Sequence, residues 1–426
     1  MLKTPRPTPS AKVVNDYLWH GYLPPQDIPD WLWRGLQQPN ARHAYTPEGA
    51  AVVLDRLFDE LCQNHVGPHL VPISGGWDSR LILGALFERL DPCQIETVSF
   101  GCPGQLDFEI GREIARFLGV RHHAIDLTGI QIEWSALQAH VKRVPWTEVP
   151  ESYYLALLDM YAAQAGTATM WSGFLGEALT GGHRAQSFGG HSAEEAERGF
   201  MYSQQRSRIS PVSDPKYIPT YPDSRLADNA PFEQSELLDF ALRQRGFVAP
   251  AVLGKAWTQW SAEQGKKGNA QILAPFCHPA WAGYWLNAPR QLHCGQQLYL
   301  AMARYKYPKL FTLPSKYSVG FAPDALRVQR LYRLYLSMAR RIDRRVPFLP
   351  IRPGLMDNYM DYAHAFRRRE DYRAAMERAI IVLEDRYAIP WLNIRQVWQE
   401  HCTRKGDYSE ALHVLLSLAV NLDADS

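Results

Sequence analysis

The chain has 426 residues, of which 46% are apolar and 21% charged, enough for ample core in about two to three domains; that balance excludes a disordered or collagen-like protein. A formal net charge of +2 gives no electrostatic reason to expect nucleic acid as a partner, and no apolar run approaches the roughly 20 residues of a membrane helix, so no membrane partner is expected either. The six cysteines form no C-x-x-C pair, which disfavours a zinc ribbon or disulfide framework and suits a reducing cytoplasm.

In chain order, Met1 to Val14 carries three prolines and no apolar h-region, so it does not read as a secretory signal. Residues 1–45 look like an arm or linker, with a short helix from Ala11 to Tyr22. Pro47 and Glu48 open a helix to Asn64, with Val52, Leu54, Leu57, Phe58 and Leu61 on its apolar side. Leu70 to Ile73 then read as a buried strand, followed by a helix over 79–90. Further units follow: strand Ile95 to Gly101, helix Asp107 to Leu118, strand His122 to Leu127, helices near 130–142 and 151–165, and strand Ala168 to Ser172. Such alternation specifies an α/β fold, a parallel, five-stranded type of sheet flanked by helices with right-handed crossovers. Residues 46–230 form this core, with 183–230 as an insertion rich in Gly, Ser and Pro; 231–426 read as a largely helical C-terminal part. The basic tracts 340–345 and 367–369 read as solvated helix faces, the alternative being a hold on an anionic partner.

The stretch from Val71 to Arg80 (VPISGGWDSR) has the chemistry of a phosphate cradle. Gly75 and Gly76 let main-chain N–H groups approach an anion, Ser74 and Ser79 offer hydroxyls, and a helix N-terminus adds its positive end. Asp78 beside a phosphate is repulsive unless a cation lies between them, which points to Mg²⁺ as a bridge. Ligands of open parallel sheets bind at the carboxyl ends of strands, where Ser74, Phe100-Gly101 and Ser172-Gly173 arrive together. The histidines 122, 123, 183 and 191 lack the spacing of a zinc site and read as structural.

Ser74-Gly75-Gly76-Trp77-Asp78-Ser79 resembles the S-G-G-x-D-S pyrophosphate loop of ATP pyrophosphatases (the PP-loop, Rossmann-like fold). The remaining text resembles the synthetase domain of asparagine synthetases. Ser99 to Gly101 and Asp107 to His123 are similar to the adenosine-side segment, and Trp171 to His183 to the acidic, glycine-rich motif. Ala274 to His278 is similar to the P-F-L-D stretch, Leu313 to Gly320 to the segment of the catalytic lysine, and Glu400-His401 with Gly406-Asp407 to the tail. The order of these motifs over about 12–420 is their strongest joint signal. Tyr17 to Pro25 resembles the linker after a glutaminase domain. That domain itself is not expected here, because there is no room before residue 12 and Met1 is followed by Leu2 rather than the required cysteine.

The resemblance implies that ATP and Mg²⁺ serve to adenylate a carboxylate, which is then passed to ammonia or an amine. Ser74, Gly75, Gly76 and Ser79 would hold pyrophosphate, Asp78 and Glu177 would ligate Mg²⁺, and Lys316 would neutralise the developing charge as catalytic residue. Arg80, where asparagine synthetases usually carry a serine, is expected to add a phosphate contact, and Asp107 reads equally as a first-turn acid or a support of the site. Two departures stand out. Phe174 and Ala178 replace acids, which puts aspartate in doubt as the substrate, and Pro314 stands where an arginine often precedes the lysine. The expected function is therefore an AMP- and pyrophosphate-forming amide ligase of specialised metabolism, acting on a small-molecule or peptide carboxylate with ammonia or an amine from elsewhere. The alternatives are a peptide macrocyclase of the lasso-cyclase type and a nucleotide-binding partner without turnover.

Overall fold

The computed structural model describes residues 9–23, 44–154, 169–182, 205–218, 271–345 and 360–424. Most of the expected insertion 183–230, the histidines 183 and 191 and most of the N-terminal arm lie outside the described residues.

Five parallel strands form one sheet in the order β3-β2-β1-β4-β5: β1 is His69–Pro72, β2 Ile95–Gly101, β3 Arg121–Asp126, β4 Thr169–Trp171 and β5 Gln271–Leu273. Four of these match the sequence reading to within a residue or two. The fifth, expected of a five-stranded type of sheet, was given no position from the sequence: three residues, Gln-Ile-Leu, halted by Pro275 are too short to show a period. The chain winds outward from β1 through β2 to β3, then returns to place β4 on the other side of β1. That reversal opens a crevice at the carboxyl ends of β1 and β4.

Alternation within the strands sends side chains to two covered faces. Val71, Ile95 and Trp171 enter a core closed by the helices Pro47–Asn64, Asp78–Phe87, Pro279–Leu286 and Gln297–Lys306. There Phe58 stacks on Trp171 at 5.8 Å between ring centroids. Thr46 caps the first of these helices, accepting from the Gly49 amide, and Pro47 stands at its first position. Val52, expected on its apolar side, is instead 41% exposed, and Val53 takes the inward position.

Leu70, Val98 and Met170 point to the opposite face, where Phe100 and Ile125 join them to a second large core. Its axis is the helix Ser409–Ala424, buried at every position from Ala411 to Leu422, as expected of a helix apolar all round. Each fully buried leucine there contributes about 1.5–3 kcal/mol. The helices Ala11–His20, Trp134–Arg143 and Glu370–Asp385 pack around it. Among the described residues no helix is long and apolar enough to cross a membrane.

Candidate active site

Beyond β1 the chain makes a turn and enters the helix Asp78–Phe87 without a side-chain cap, so its first-turn amides remain for an anion. The turn satisfies itself from within. Ser79 Oγ accepts from the Ser74 amide at 3.2 Å and stands 3.4 Å from Ser74 Oγ, while Ser74 Oγ accepts from the Gly76 amide at 3.2 Å. The Gly75 amide donates to Asp107 Oδ1 at 2.9 Å. Glycine at 75 allows a close approach: a Cβ there would press on Asp107 Oδ1 and Ile110 Cδ1 at 3.2 Å and on Lys316 Cβ at 3.3 Å.

Lys316, 241 residues beyond Gly75, reaches this turn through its own backbone. Its amide donates to the Gly75 carbonyl at 2.9 Å, and its Nζ lies 3.7 Å from Asp107 Oδ2. Asp107 therefore does more than open a helix. It holds the cradle with one oxygen and faces the lysine with the other, and burial pushes its pKa up against the opposing pull of Lys316.

From the other side of the crevice, the end of β4 brings Ser172 and Gly173 against Asp78 and Ser79; a Cβ on Gly173 would sit 3.2 Å from Asp78 Cβ. Gly176 approaches closer still, since a Cβ there would fall 2.4 Å from Asp78 Cγ. Only glycine lets the Glu177 amide reach Asp78 Oδ2, at 2.8 Å. The second oxygen of Asp78 accepts from the Tyr299 hydroxyl at 2.8 Å, and Glu177 Oε2 from the Tyr317 hydroxyl at 3.2 Å. Burial, and then the charge of Glu177, push the Asp78 carboxyl up to about 7, although the Tyr299 and main-chain bonds and Lys316 act in the other direction. The motif is also bent: Leu175 has φ 65°, a conformation an L-residue holds only when its surroundings enforce it.

Among the sequence expectations, Ser74, Gly75, Gly76, Asp78, Ser79, Ser172, Gly173, Glu177 and Lys316 converge at one edge of the sheet. Phe100 and Gly101 end β2 on the same edge, but the Phe100 ring packs into the apolar cores rather than over the cradle. Arg80 is a correction. Its side chain is fully buried, with Nη1 donating to the carbonyls of Leu310 (3.2 Å) and Leu313 (3.1 Å) and Nη2 to that of Pro314 (2.6 Å). These are carbonyls left over at and after the end of the helix Pro308–Phe311, and Arg80 also lies over the Trp77 ring at 5.0 Å. Burial pulls its pKa down to about 10. Its guanidinium thus locks the turn to the Lys316 segment instead of meeting phosphate.

Two tyrosines escaped the sequence reading. Tyr299 carries no local signal at all, standing 221 residues from its partner Asp78. Tyr317 adjoins Lys316 but gains its meaning from a stack on Trp77 at 5.4 Å, from Lys316 Nζ 5.6 Å over its ring, and from Glu177. His122 and His123 bond Thr97 and Glu96 within the sheet, and His278 caps the helix Pro279–Leu286.

Residues 62–215, a span holding the whole turn, Asp107 and Glu177, match the family described as asparagine synthase. This segment is similar to an asparagine synthase domain. Two glutamine-hydrolysing asparagine synthetases of Arabidopsis thaliana, numbers 3 and 2, are 29% and 28% identical over 142 residues, covering 31% of this chain. The match spans 23% of the length of those curated relatives. Tyr299, Lys316 and Tyr317 lie C-terminal to the matched segment, and the fold brings them to the same crevice.

Proposed function

We propose that this chain is an ATP-dependent amide ligase that activates a carboxylate as its acyl-adenylate, releasing pyrophosphate, and transfers the acyl group to ammonia or an amine. The observation that carries this reading is the meeting, at the β1/β4 crevice, of the Ser74–Ser79 turn, the Asp78–Glu177 carboxylate pair and Lys316.

In the first step a substrate carboxylate oxygen attacks the α-phosphorus of ATP, and the bond to the bridging α–β oxygen breaks. Negative charge gathers on the departing pyrophosphate, where Ser74 and Ser79 hydroxyls and the uncapped first turn supply donors already in place. The self-satisfied turn exchanges internal bonds for phosphate bonds, so no buried donor is stranded. Lys316, held over the turn by the Gly75 carbonyl and faced by Asp107, is placed to offset charge at the reacting phosphate. In the second step the nucleophile's nitrogen attacks the acyl carbon and AMP leaves, and the same ammonium can stabilise the oxyanion formed there.

The residues present fit Mg²⁺. Two neighbouring carboxylates, one pushed to about 7 by its surroundings, have a need for a cation, and Mg²⁺ is ordinarily held by one or two carboxylates with substrate phosphates completing its shell. Asp78 and Glu177 would hold it. When bound, the ion neutralises phosphate charge and screens the carboxylates from the nucleotide. Apolar Phe174 at a place where the resemblance calls for an acid favours an acceptor bulkier or less charged than aspartate, hence a specialised product, with the nitrogen supplied by a separate donor.

The test is acid-dependent exchange of labelled pyrophosphate into ATP, with Mg²⁺ and a panel of small and peptidic carboxylic acids. Exchange with a subset of acids, lost in Asp78→Ala, is the expected result; ATP binding without exchange for any acid would defeat the ligase reading. Lys316→Ala should lower product formation about 100- to 1,000-fold while ATP affinity changes little. Equal loss of both would remove Lys316 from its role.

A further inference from the structure

The helix Leu326–Arg345 follows directly on the Lys316 segment and is built unlike any other in the described residues. Gln329, Leu336 and Ala339 form its buried face. Gln329 Nε2 donates to the carbonyls of Ala322 (2.8 Å) and Pro323 (3.2 Å), and Arg333 donates to the carbonyl of Tyr317. Beside this buried face runs a second apolar stripe at helical spacing, Leu331, Leu334, Tyr335, Met338 and Ile342. It faces solvent: Leu331 is 67% and Met338 61% exposed. Beyond the stripe, on the flank away from the body, stand Arg327, Arg330 and Arg341. All three are exposed, and among the described residues none has a carboxylate partner. The helix as a whole has seven arginines against one aspartate.

An apolar stripe bordered by unneutralised arginines calls for a partner that is itself apolar and acidic. A second copy would bring arginines against arginines. A bilayer would explain the stripe and the arginines but not why the helix is tied by Arg333 to the Tyr317 backbone, beside Lys316. A helix face tied by Arg333 to the backbone beside Lys316 suits a polypeptide that reaches the site from it. We propose that the face of helix Leu326–Arg345 formed by Leu331, Leu334, Met338 and the neighbouring arginines docks an acidic, leucine-bearing polypeptide segment that presents the carboxylate to be activated.

The proposal rests on the ligase reading for what is done with the carboxylate, whereas the docking itself can be measured separately. The probe is a fluorescein-labelled amphipathic peptide of leucine and glutamate, followed by anisotropy on the whole chain. Controls are the same peptide with lysine for glutamate, a third with serine for leucine, and vesicles of phosphatidylglycerol and phosphatidylcholine. The Leu/Glu peptide should bind at least about tenfold more tightly than either control peptide, and more weakly as salt rises. The double variant Leu331→Asp/Met338→Asp should lose this binding with ATP affinity and melting temperature unchanged. A second variant, Arg330→Glu/Arg341→Glu, should reverse the preference toward the Leu/Lys peptide.

No binding of the Leu/Glu peptide, equal binding of the Leu/Lys peptide, binding of vesicles alone, or a dimer that the Leu331→Asp/Met338→Asp variant dissociates would each overturn the proposal. Peptide binding without acid-dependent pyrophosphate exchange would leave the docking face standing and defeat the ligase reading. Exchange with small acids and no peptide binding would do the reverse.

Discussion

The crevice at the ends of β1 and β4 and the helical layer around Ser409–Ala424 are both polar at many points, yet they treat charge in opposite ways. In the helical layer, ionic groups are answered locally: Arg369 pairs with Asp371 at 2.6 Å, Asp371 also accepts the Ile132 amide at 2.9 Å, and the Asp371 carboxyl is held below its ordinary range mainly by its Arg369 hydrogen bond, against burial. In the crevice, Asp78 faces Glu177 and its carboxyl is pushed up to about 7. A scaffold relaxes its charges, whereas a site keeps them in tension for a ligand that has yet to arrive.

The largest break in this contrast should come from Asp78→Asn. Pyrophosphate exchange should fall at least about 1,000-fold with the loss of a charge needed for the phosphate-bridging cation. Stability should move the other way. The carboxyl ionises near 3.8 when unfolded and about 7 when folded, so the unfolded state releases its proton first and wild-type stability declines as pH rises through this window. The advantage of Asp78→Asn over wild type should therefore grow by about 2 kcal/mol between pH 5 and pH 8, read from urea titrations in the absence of nucleotide and metal. A gap that stays constant with pH would show that Asp78 is not under tension.

Arg80 tests the boundary between the two regimes, being a charge in the site's wall that is used as scaffold. Arg80→Met leaves the carbonyls of Leu310, Leu313 and Pro314 without their donor, which should cost about 3 kcal/mol, with Arg80→Lys recovering part of it. Exchange activity should drop with little change in the KM for ATP. Unaltered stability together with a raised KM for ATP would restore the phosphate contact that the sequence suggested.

The helical layer has its own sensitive point, at acid pH. His401 and His140 are buried, and burial pulls both down to about 4. An unfolded histidine takes up its proton below about 6.5 while these remain neutral, so each favours unfolding as pH falls from 6.5 to 4, by up to about 3 kcal/mol. Denaturation at pH 7 and pH 5 should show the loss, and His401→Gln should show a smaller one. Equal stability of the wild type at the two pH values would contradict the burial of these rings as neutral groups.

These regions also differed in how far the sequence disclosed them. The cradle was legible because glycines, hydroxyls and an acid occupy six consecutive residues, and the strands β1 to β4 because each alternates with a helix of clear period. Lys316 and Glu177 were legible only through a resemblance, since no spacing rule joins residues 78, 177 and 316. Tyr299 and the end of β5 were not legible, because one depends on a contact across 221 residues and the other on three residues whose pairing with β4 alone makes them a strand. Arg80 was misread for a related reason. Adjacency to Ser79 suggested a shared ligand, but consecutive helical residues point about 100° apart, and the third helical position turned inward to the carbonyls of Leu310, Leu313 and Pro314.

Tyr317 offers the finest test of tension against relaxation, because one atom separates its two roles. The ring is scaffold, stacked on Trp77 at 5.4 Å, and the hydroxyl belongs to the site, donating to Glu177 Oε2 at 3.2 Å. Tyr317→Phe keeps the stack and removes the bond. Stability should change by no more than about 0.5–1 kcal/mol, the range of a single ordinary hydrogen bond. Glu177 would then lose one of the contacts that orient it. The Mg²⁺ concentration needed for half-maximal ATP binding, measured calorimetrically, should rise about three- to tenfold, while ATP binding at saturating Mg²⁺ is restored. Tyr317→Leu, which also removes the stack, should add a loss of stability that extra Mg²⁺ does not repair. If Tyr317→Phe leaves the Mg²⁺ dependence where it was, the hydroxyl is only filling the space a cation would take, and the orientation of Glu177 is set without it.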